Sequence, residues 1–456
     1  MQTYDLVVIG AGSGGLVAAT SGHRKGLKTA LLEKNKIGGE CTHYGCVPSK
    51  ALIHAANAYH SLKTMTDLGI ESGPATLEFG TIMAKVDEIV QGIYQHETPD
   101  VFENMGIDVL VDARGASFLD AHTIQMGERV LYAKHVVIAT GSAPRLPEIP
   151  GMDQVSILHN ENFWELREHP GKLVFIGGGV ISVELGQALA RLGCEVCIMD
   201  RNSRIAKQTD PEIGNYLTDR LRKEGVQILT NVDIQQFSGN NQLVYEQDGQ
   251  TQRMMADHFF LATGRRPHVE GLNLESAGVN YTDRGIQTND FLQTSVPHIY
   301  ACGDVTTPFK FTHTASHQAN ICIDNILTPH AKKNDLSVLP WAIFTEPQIG
   351  HVGLTEAGAH EKYGADNVKT FRVTASIDRF ITDRKTGGML KVFFTPDDLV
   401  IGAEAIGEHA GEWIQILTVA MKHQIPATEM ADTIFSYPTY AEIVKKAFTR
   451  YLRSKA

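Results

Sequence analysis

The sequence predicts an α/β protein with two Rossmann-like dinucleotide-binding modules and a C-terminal α+β domain. Three observations predict it. A unit reading strand, glycine turn, helix, strand and acid at residues 8–33 is echoed at 175–200. A second echo sets Val136-Val-Ile-Ala-Thr-Gly-Ser-Ala-Pro against Phe259-Phe-Leu-Ala-Thr-Gly-Arg-Arg-Pro. The last third has no such glycine turn and reads as antiparallel strands followed by helices.

In the first unit, Gly10-x-Gly12-x-x-Gly15 follows an apolar strand and opens a helix. Gly10 makes the tight turn, Gly12 admits a pyrophosphate, and Gly15 lets helix and strand pack closely. Glu33 ends the next strand and suits ribose hydroxyls, while the helix N-terminus suits phosphates. Gly14 and Lys34 belong to the same candidate site.

The second unit repeats the spacing, with Gly10 matched by Gly177, Gly12 by Gly179, Gly26 by Gly193 and Glu33 by Asp200. Ser182 stands where the third glycine is expected, and a small residue still permits packing. Val180 and Ile181 open the helix. Asp200 suits the 2′-hydroxyl of NADH, whereas Arg201, Arg204 and Lys207 suit the 2′-phosphate of NADPH. The cationic cluster favours NADPH, with NADH the alternative. Two dinucleotide sites suggest one cofactor held permanently, such as FAD, and a nicotinamide that comes and goes.

The chain has 456 residues, 43% of them hydrophobic, which is enough for several cores. Its net charge of −11 disfavours nucleic-acid and anionic-membrane partners. The apolar run Leu6–Ile9 is too short for a signal peptide, and no stretch is long enough to span a bilayer. A cytoplasmic location is expected. Pro-rich or glycine-rich stretches at 144–151 and 265–272 suggest crossings between modules. The expected domains are 1–149 with 265–335, 150–264, and 336–456. In the last, Met389–Phe394 and Val400–Ile406 read as strands, and Glu408–His423, Ala427–Ile434 and Thr439–Tyr451 as helices.

Six cysteines in so long a chain do not make a secreted disulfide scaffold. Cys194 and Cys197 lie three apart on a strand, so their side chains face opposite ways and read as core residues. Cys302 and Cys322 read as single buried thiols. His313 and His317 have helical spacing without the Glu of a metalloprotease motif, and read as packing or hydrogen-bonding residues. Cys41 and Cys46 lack a second pair at zinc spacing. In a regular helix their Cα atoms would be about 8–9 Å apart, beyond the roughly 7 Å a disulfide allows. A bonded pair would therefore need a distorted helix start, which Gly45 permits. A thiolate at a helix N-terminus beside Lys50 would have a lowered pKa.

Gly38-Gly39-x-Cys41-x-x-x-Gly45-Cys46-Val-Pro-Ser-Lys50 resembles the active-site signature of the class I flavoprotein disulfide reductases, the family of dihydrolipoamide dehydrogenase, glutathione reductase and mercuric reductase. The resemblance extends over the whole chain, through Thr140-Gly141, the second fingerprint with Glu184, Ala301-x-Gly303-Asp304, and Pro340–Gly353 as entry to a dimerisation domain. It implies that NAD(P)H reduces FAD and that electrons pass to a Cys41–Cys46 disulfide. Cys46 would be the thiolate nearest the flavin and Cys41 the sulfur that attacks substrate. Lys50, paired with Glu184, would stand near the flavin, and Asp304 would hold the ribityl chain. Further cofactor contacts implied are Gly39, Thr42, Gly115 and Ala116, then Ala262, Thr263, Gly264 and Arg265. The active unit would be a homodimer, and no resident metal is implied.

One position departs from the family. The partner subunit usually supplies His-Pro-Thr-x-x-Glu, whose His-Glu dyad moves protons for dithiol substrates. Here Tyr437-Pro438-Thr439-Tyr440-Ala441-Glu442 stands in its place. A phenol with an ordinary pKa near 10 is a poor shuttle at neutral pH, but can donate a hydrogen bond or ligate a metal. Mercuric reductases resemble this chain in having Tyr there, yet they usually end in a Cys-Cys pair, which Arg450–Ala456 lacks, and no N-terminal metal-carrier domain is read here. The expected acceptor is a small molecule or a metal ion. A dihydrolipoamide dehydrogenase-like enzyme and a flavin redox sensor are the alternatives.

Overall fold

The computed structural model describes residues 1–71, 73 and 75–455. Its first sheet has seven strands. Gln2–Ile9 lies at the centre, parallel to Thr29–Glu33 on one side (Val7 opposite Ala30) and Arg129–Ile138 on the other (Val7 opposite Val136). Ile299–Ala301 returns from far along the chain to pair in parallel with Arg129–Ile138. Leu6, Val7, Val8 and Ile9 are all buried, as a strand covered on both faces requires.

The second sheet has five parallel strands, in the order Gln227–Leu229, Glu195–Met199, Lys172–Ile176, His258–Leu261 and Ile157–Leu158. The sequence repeat is repeated in the backbone. Gly12 and Gly179 each precede a helix, with φ −81° and −80° and the same ψ of −171°. Gly10 and Gly177 have φ +98° and +104°, a region that favours glycine. A Cβ on Gly10 would lie 2.5 Å from the Ala139 oxygen. A Cβ on Gly15 would overlap the Gly10 oxygen, which is why helix and strand can pack there. Ser182 lacks that freedom, and its hydroxyl instead donates to the Gly177 oxygen.

The chain leaves the first sheet through Ser142–Pro144 and comes back through Arg265–Pro267. These segments pair as an antiparallel ribbon, Ala143 opposite Arg266.

The last part is a five-stranded antiparallel sheet ordered Pro340–Ile343, Gln348–Gly353, Val400–Gly407, Met389–Phe394 and Lys369–Thr374. The helices Ala410–Lys422 and Glu442–Arg453 share a buried core with it. Both begin later than the sequence suggests. His409 takes φ +54°, which a helix interior does not allow, so the first starts at Ala410. The last starts at Glu442, whose carboxylate accepts the Thr439 N–H. The middle helix ends at Asp432.

Arg191, only 3% exposed, joins the second module to this domain by pairing with Glu224 (2.8 Å) and Glu346. A buried guanidinium needs such partners. Among the described residues no helix is long and apolar enough to cross a membrane.

Candidate active site

Gly38 and Gly39 both have positive φ, and they turn the chain into a short helix, Gly39–His43. The chain breaks at Tyr44 and Gly45 (φ −120°, ψ −109°), and a new helix, Cys46–Thr64, begins at the second cysteine. The awkward five-residue spacing is thus met by two helices with a kink between them. Lys50 lies one turn further along the second helix.

The Cys41 and Cys46 thiols interact across the kink. That interaction lowers the Cys46 thiol to about 6, helped by the Thr312 hydroxyl at 3.6 Å and the Lys50 charge, against the cost of burial. The same interaction, with burial, holds Cys41 protonated far above its usual range.

Lys50 Nζ is 2.8 Å from Glu184 Oε2, and Glu184 Oε1 accepts the Phe344 N–H at 2.8 Å. Glu184 is 4% exposed. The cysteine helix, the second glycine module and the C-terminal domain therefore meet at one carboxylate.

A cavity of about 1370 Å³ collects both cysteines, both glycine loops and the start of the helix Thr312–Leu327. Drug-sized pockets hold roughly 300–1,000 Å³, so there is room for more than one small ligand. On the FAD side Gly10, Gly12, Gly14, Glu33, Lys34 and Gly39 line it. Gly115, Ala116, Thr140, Gly141, Gly303 and Asp304 complete that wall. Gly179, Val180, Ile181, Ala262, Gly264 and Arg265 line it from the second module.

In both modules the strand-end acid braces the glycine turn. Glu33 Oε2 accepts the Ala11 N–H at 2.7 Å, and Asp200 Oδ2 accepts the Gly178 N–H at 2.5 Å. The glycine surfaces that a Cβ would fill, and the acids beside them, fit dinucleotides: FAD along Gly10–Gly15 and Asp304, a nicotinamide along Gly179–Glu184.

Several expected residues stand elsewhere. Thr42 faces away from the cavity, because neighbouring positions on a helix point about 100° apart; its hydroxyl donates to Glu97 at 2.8 Å. Thr263 donates to the Arg145 oxygen at 2.6 Å and stabilises the crossing. Gly15 and Gly177 act in packing rather than on the wall. Asp200, Arg201 and Lys207 lie outside the lining. Arg204 cannot serve a phosphate, since its guanidinium is taken up by the Ala206, Lys207 and Thr209 oxygens of its own loop. Cys302 and Cys322 are buried, as expected, but not single: they lie against each other. Cys194 and Cys197 are core residues whose thiols burial pushes up to about 12. His313 bonds the Pro340 oxygen at 2.8 Å.

Other residues carry no mark in the sequence. Thr312 reaches Cys46 only because its helix begins there. Glu40, next to Cys41, pairs with Arg265 and accepts Asn160 Nδ2 at 2.7 Å. Ser142 donates to Asp304 at 2.6 Å and accepts from Arg265 at 2.8 Å. This network fastens the Cys41 helix to the module crossing.

Tyr437 and Glu442 do not line this chain's cavity. Tyr437 is 70% exposed on the C-terminal domain. Its hydroxyl donates to Asp378 Oδ2 at 2.6 Å.

Fold and site together define a protein with two dinucleotide modules and a close cysteine pair where they meet. The family model for the pyridine nucleotide-disulphide oxidoreductases matches residues 4–319, and that for their dimerisation domain matches 339–448. The chain is 36% identical to a mercuric reductase of Staphylococcus aureus, over 97% of this chain and 82% of that protein. It is 34% identical to a dihydrolipoyl dehydrogenase of Bacillus subtilis, over 97% of this chain and 95% of that one. A solved structure, the Cu(II) complex of the HOCl-induced flavoprotein disulfide reductase RclA from Escherichia coli, superposes with a TM-score of 0.86 at 26% identity, covering 99% of this chain and all of that one. The chain therefore belongs to the pyridine nucleotide-disulphide oxidoreductase family and is a flavoprotein disulfide oxidoreductase, an enzyme of the FAD- and NAD(P)H-dependent class.

Proposed function

We propose that the enzyme oxidises NADPH and delivers the electrons, by way of the Cys41–Cys46 pair, to an external acceptor. The observation that carries this is the Cys46 sulfur, set between Cys41, Thr312 and the Lys50–Glu184 pair in the cavity shared by both glycine loops. FAD, when bound, supplies the two-electron relay between nicotinamide and disulfide.

The roles of the chain's own residues follow from their chemistry. Reduction of the disulfide consumes two electrons and one proton, the equivalent of one hydride, and leaves Cys41 as the thiol and Cys46 as the thiolate. Lys50 stabilises the Cys46 thiolate, and Glu184 holds Lys50 in place. With a disulfide acceptor, Cys41 attacks one sulfur as its proton passes by way of the Cys46 thiolate to the departing sulfur, forming a mixed disulfide and expelling one thiol. Cys46 then attacks the Cys41 sulfur, expels the second thiol and re-forms the internal bond. Arg201 and Lys207, exposed beside Asp200, support NADPH over NADH.

The active unit is a homodimer in which Tyr437 and Glu442 of one copy face the cysteines of the other. The dimerisation-domain match and the exposed Ile434 and Tyr437 support it. The division into 1–149 with 265–335, 150–264 and 336–456 rests on each main sheet closing within one of these ranges. A cytoplasmic location fits six cysteines in so long a chain, too few for a secreted disulfide scaffold.

A second reading is metal-ion reduction. It is favoured by Tyr437 at the position of a proton-shuttling His, by the mercuric reductase relatives, and by the Cu(II) complex of RclA. A panel of lipoamide, glutathione disulfide, Hg(II), Cu(II) and quinones, run with NADH and with NADPH, tests both. Turnover of a disulfide or a metal ion that disappears in Cys41→Ala supports the cysteine route. Turnover that survives it contradicts the route.

A further inference from the structure

We infer that Asp378 is a positioning residue for the acceptor site, holding the Tyr437 phenol as an acceptor-only oxygen for a thiophilic metal cation. The inference deepens the metal-ion reading above and rests on the shared homodimeric site.

The geometry is specific. The Tyr437 hydroxyl hydrogen is committed to Asp378 Oδ2 at 2.6 Å, although the phenol is 70% exposed and water could have taken that bond. Only the oxygen lone pairs are left to face outward. A phenol so held cannot donate a proton to a leaving thiol. It can still ligate a cation or accept a hydrogen bond.

The contact is not needed to fasten the loop. Tyr440 already ties the loop to the end of the short helix Asp378–Thr382 through Asp383, and packs edge-on against Phe380 at 4.8 Å. Thr439 bonds both Ser436 and Glu442, and Lys446 bonds the Ser376 oxygen at 2.9 Å. The charges facing the phenol are Asp378 and Glu442, with Lys446 the nearby cation. That field favours a cation over an anionic disulfide.

One NADPH carries the two electrons that convert Hg(II) to Hg(0), releasing NADP⁺ and one proton, so the step balances with no other reductant. The test uses the full-length holoenzyme with Hg(II) as probe and lipoamide as the neutral comparison. The variants are D378A, D378N, Y437F and D378A/Y437F. Losing a hydrogen bond to a charged group predicts a fall of about tenfold or more in kcat/KM for Hg(II) in D378A, mostly through KM. Y437F should match it, and the double variant should be no worse than either single one. D378N, which keeps an acceptor, should recover part of the loss. Lipoamide reduction should fall much less.

Activity with Hg(II) in D378A within about twofold of wild type, losses that multiply in the double variant, or equal losses with lipoamide would each overturn the inference. Addition of NADPH to the same samples separates the two levels of the argument. A wild type without long-wavelength flavin–thiolate absorbance contradicts the proposed function and this inference with it. A normal band together with any of the three outcomes above contradicts the inference alone.

Discussion

Lys50 Nζ lies 2.8 Å from Glu184 Oε2, joining the helix that starts at Cys46 to the helix that starts behind the second glycine loop. The pair sets the charge next to the Cys46 sulfur. It also ties in the C-terminal domain, through the Phe344 N–H on Glu184 Oε1. Electrostatics, inter-domain geometry and thiol chemistry are therefore coupled at one carboxylate.

Replacing Lys50 by Met removes a positive charge that stabilises the Cys46 thiolate. The Cys46 pKa should rise from about 6, as measured by thiolate ultraviolet absorbance against pH in the reduced protein. An unchanged titration would contradict the assigned role. Glu184→Ala strands the Phe344 N–H and the Lys50 ammonium, and should cost about 1–3 kcal/mol in a denaturant titration.

The two glycine loops should separate genetically. Gly10→Ala forces a Cβ into the Ala139 backbone at positive φ, and should leave the purified protein largely colourless through loss of FAD. Gly177→Ala makes the equivalent clash with Ala262. It should retain the flavin but raise KM for the nicotinamide by about tenfold, the equivalent of one lost hydrogen bond to a charged group. Loss of flavin from the second variant alone would reverse the assignment.

The NADPH preference depends on Arg201 and Lys207, now that Arg204 is accounted for by its own loop. The double variant Arg201→Ala/Lys207→Ala should lower kcat/KM for NADPH about tenfold or more, as loss of charge-assisted bonds implies, with little change for NADH. Equal losses for both would show that the cationic turn is only a solvated surface.

Stability should fall in mild acid. Burial lowers the pKa of His43, His135, His268 and His298. His135 Nδ1 is buried without a partner, and His298 stacks on His122 at 3.8 Å. The folded state therefore binds fewer protons than the unfolded chain, whose histidines titrate near pH 6.5. Above that pH these groups leave stability unchanged; below it, stability is lost as pH falls. Urea midpoints at pH 5 and pH 7.5 check this, and an equal or higher midpoint at pH 5 would contradict it.

The parts of the site that were legible in the sequence are those where the backbone dictates the residue. Gly10 and Gly177 need positive φ, Gly15 needs a missing Cβ, and such demands recur wherever the fold recurs. The Cys41–Cys46 spacing was legible for the same reason, since at the kink between the short helix and the long one a Cβ on Gly45 would crowd the Glu40 oxygen. Tertiary polar pairs leave no such trace. Arg265 and Glu40 are 225 residues apart, and Tyr437 and Asp378 are 59 apart, with no periodicity linking them. Thr42 stands off the cavity, on Glu97, because adjacency to Cys41 in sequence is not adjacency on a helix face. Arg204 bonds the carbonyls of its own loop, and composition does not show that a loop consumes its own cation.

The central claim is that Cys46 is a thiolate in contact with the FAD that the Gly10–Gly15 loop holds. Anaerobic titration with NADPH measures it most directly. The account predicts a long-wavelength flavin–thiolate absorbance in the wild type, retained in Cys41→Ser and abolished in Cys46→Ser. A band that persists in Cys46→Ser, or no band in the wild type, would contradict it.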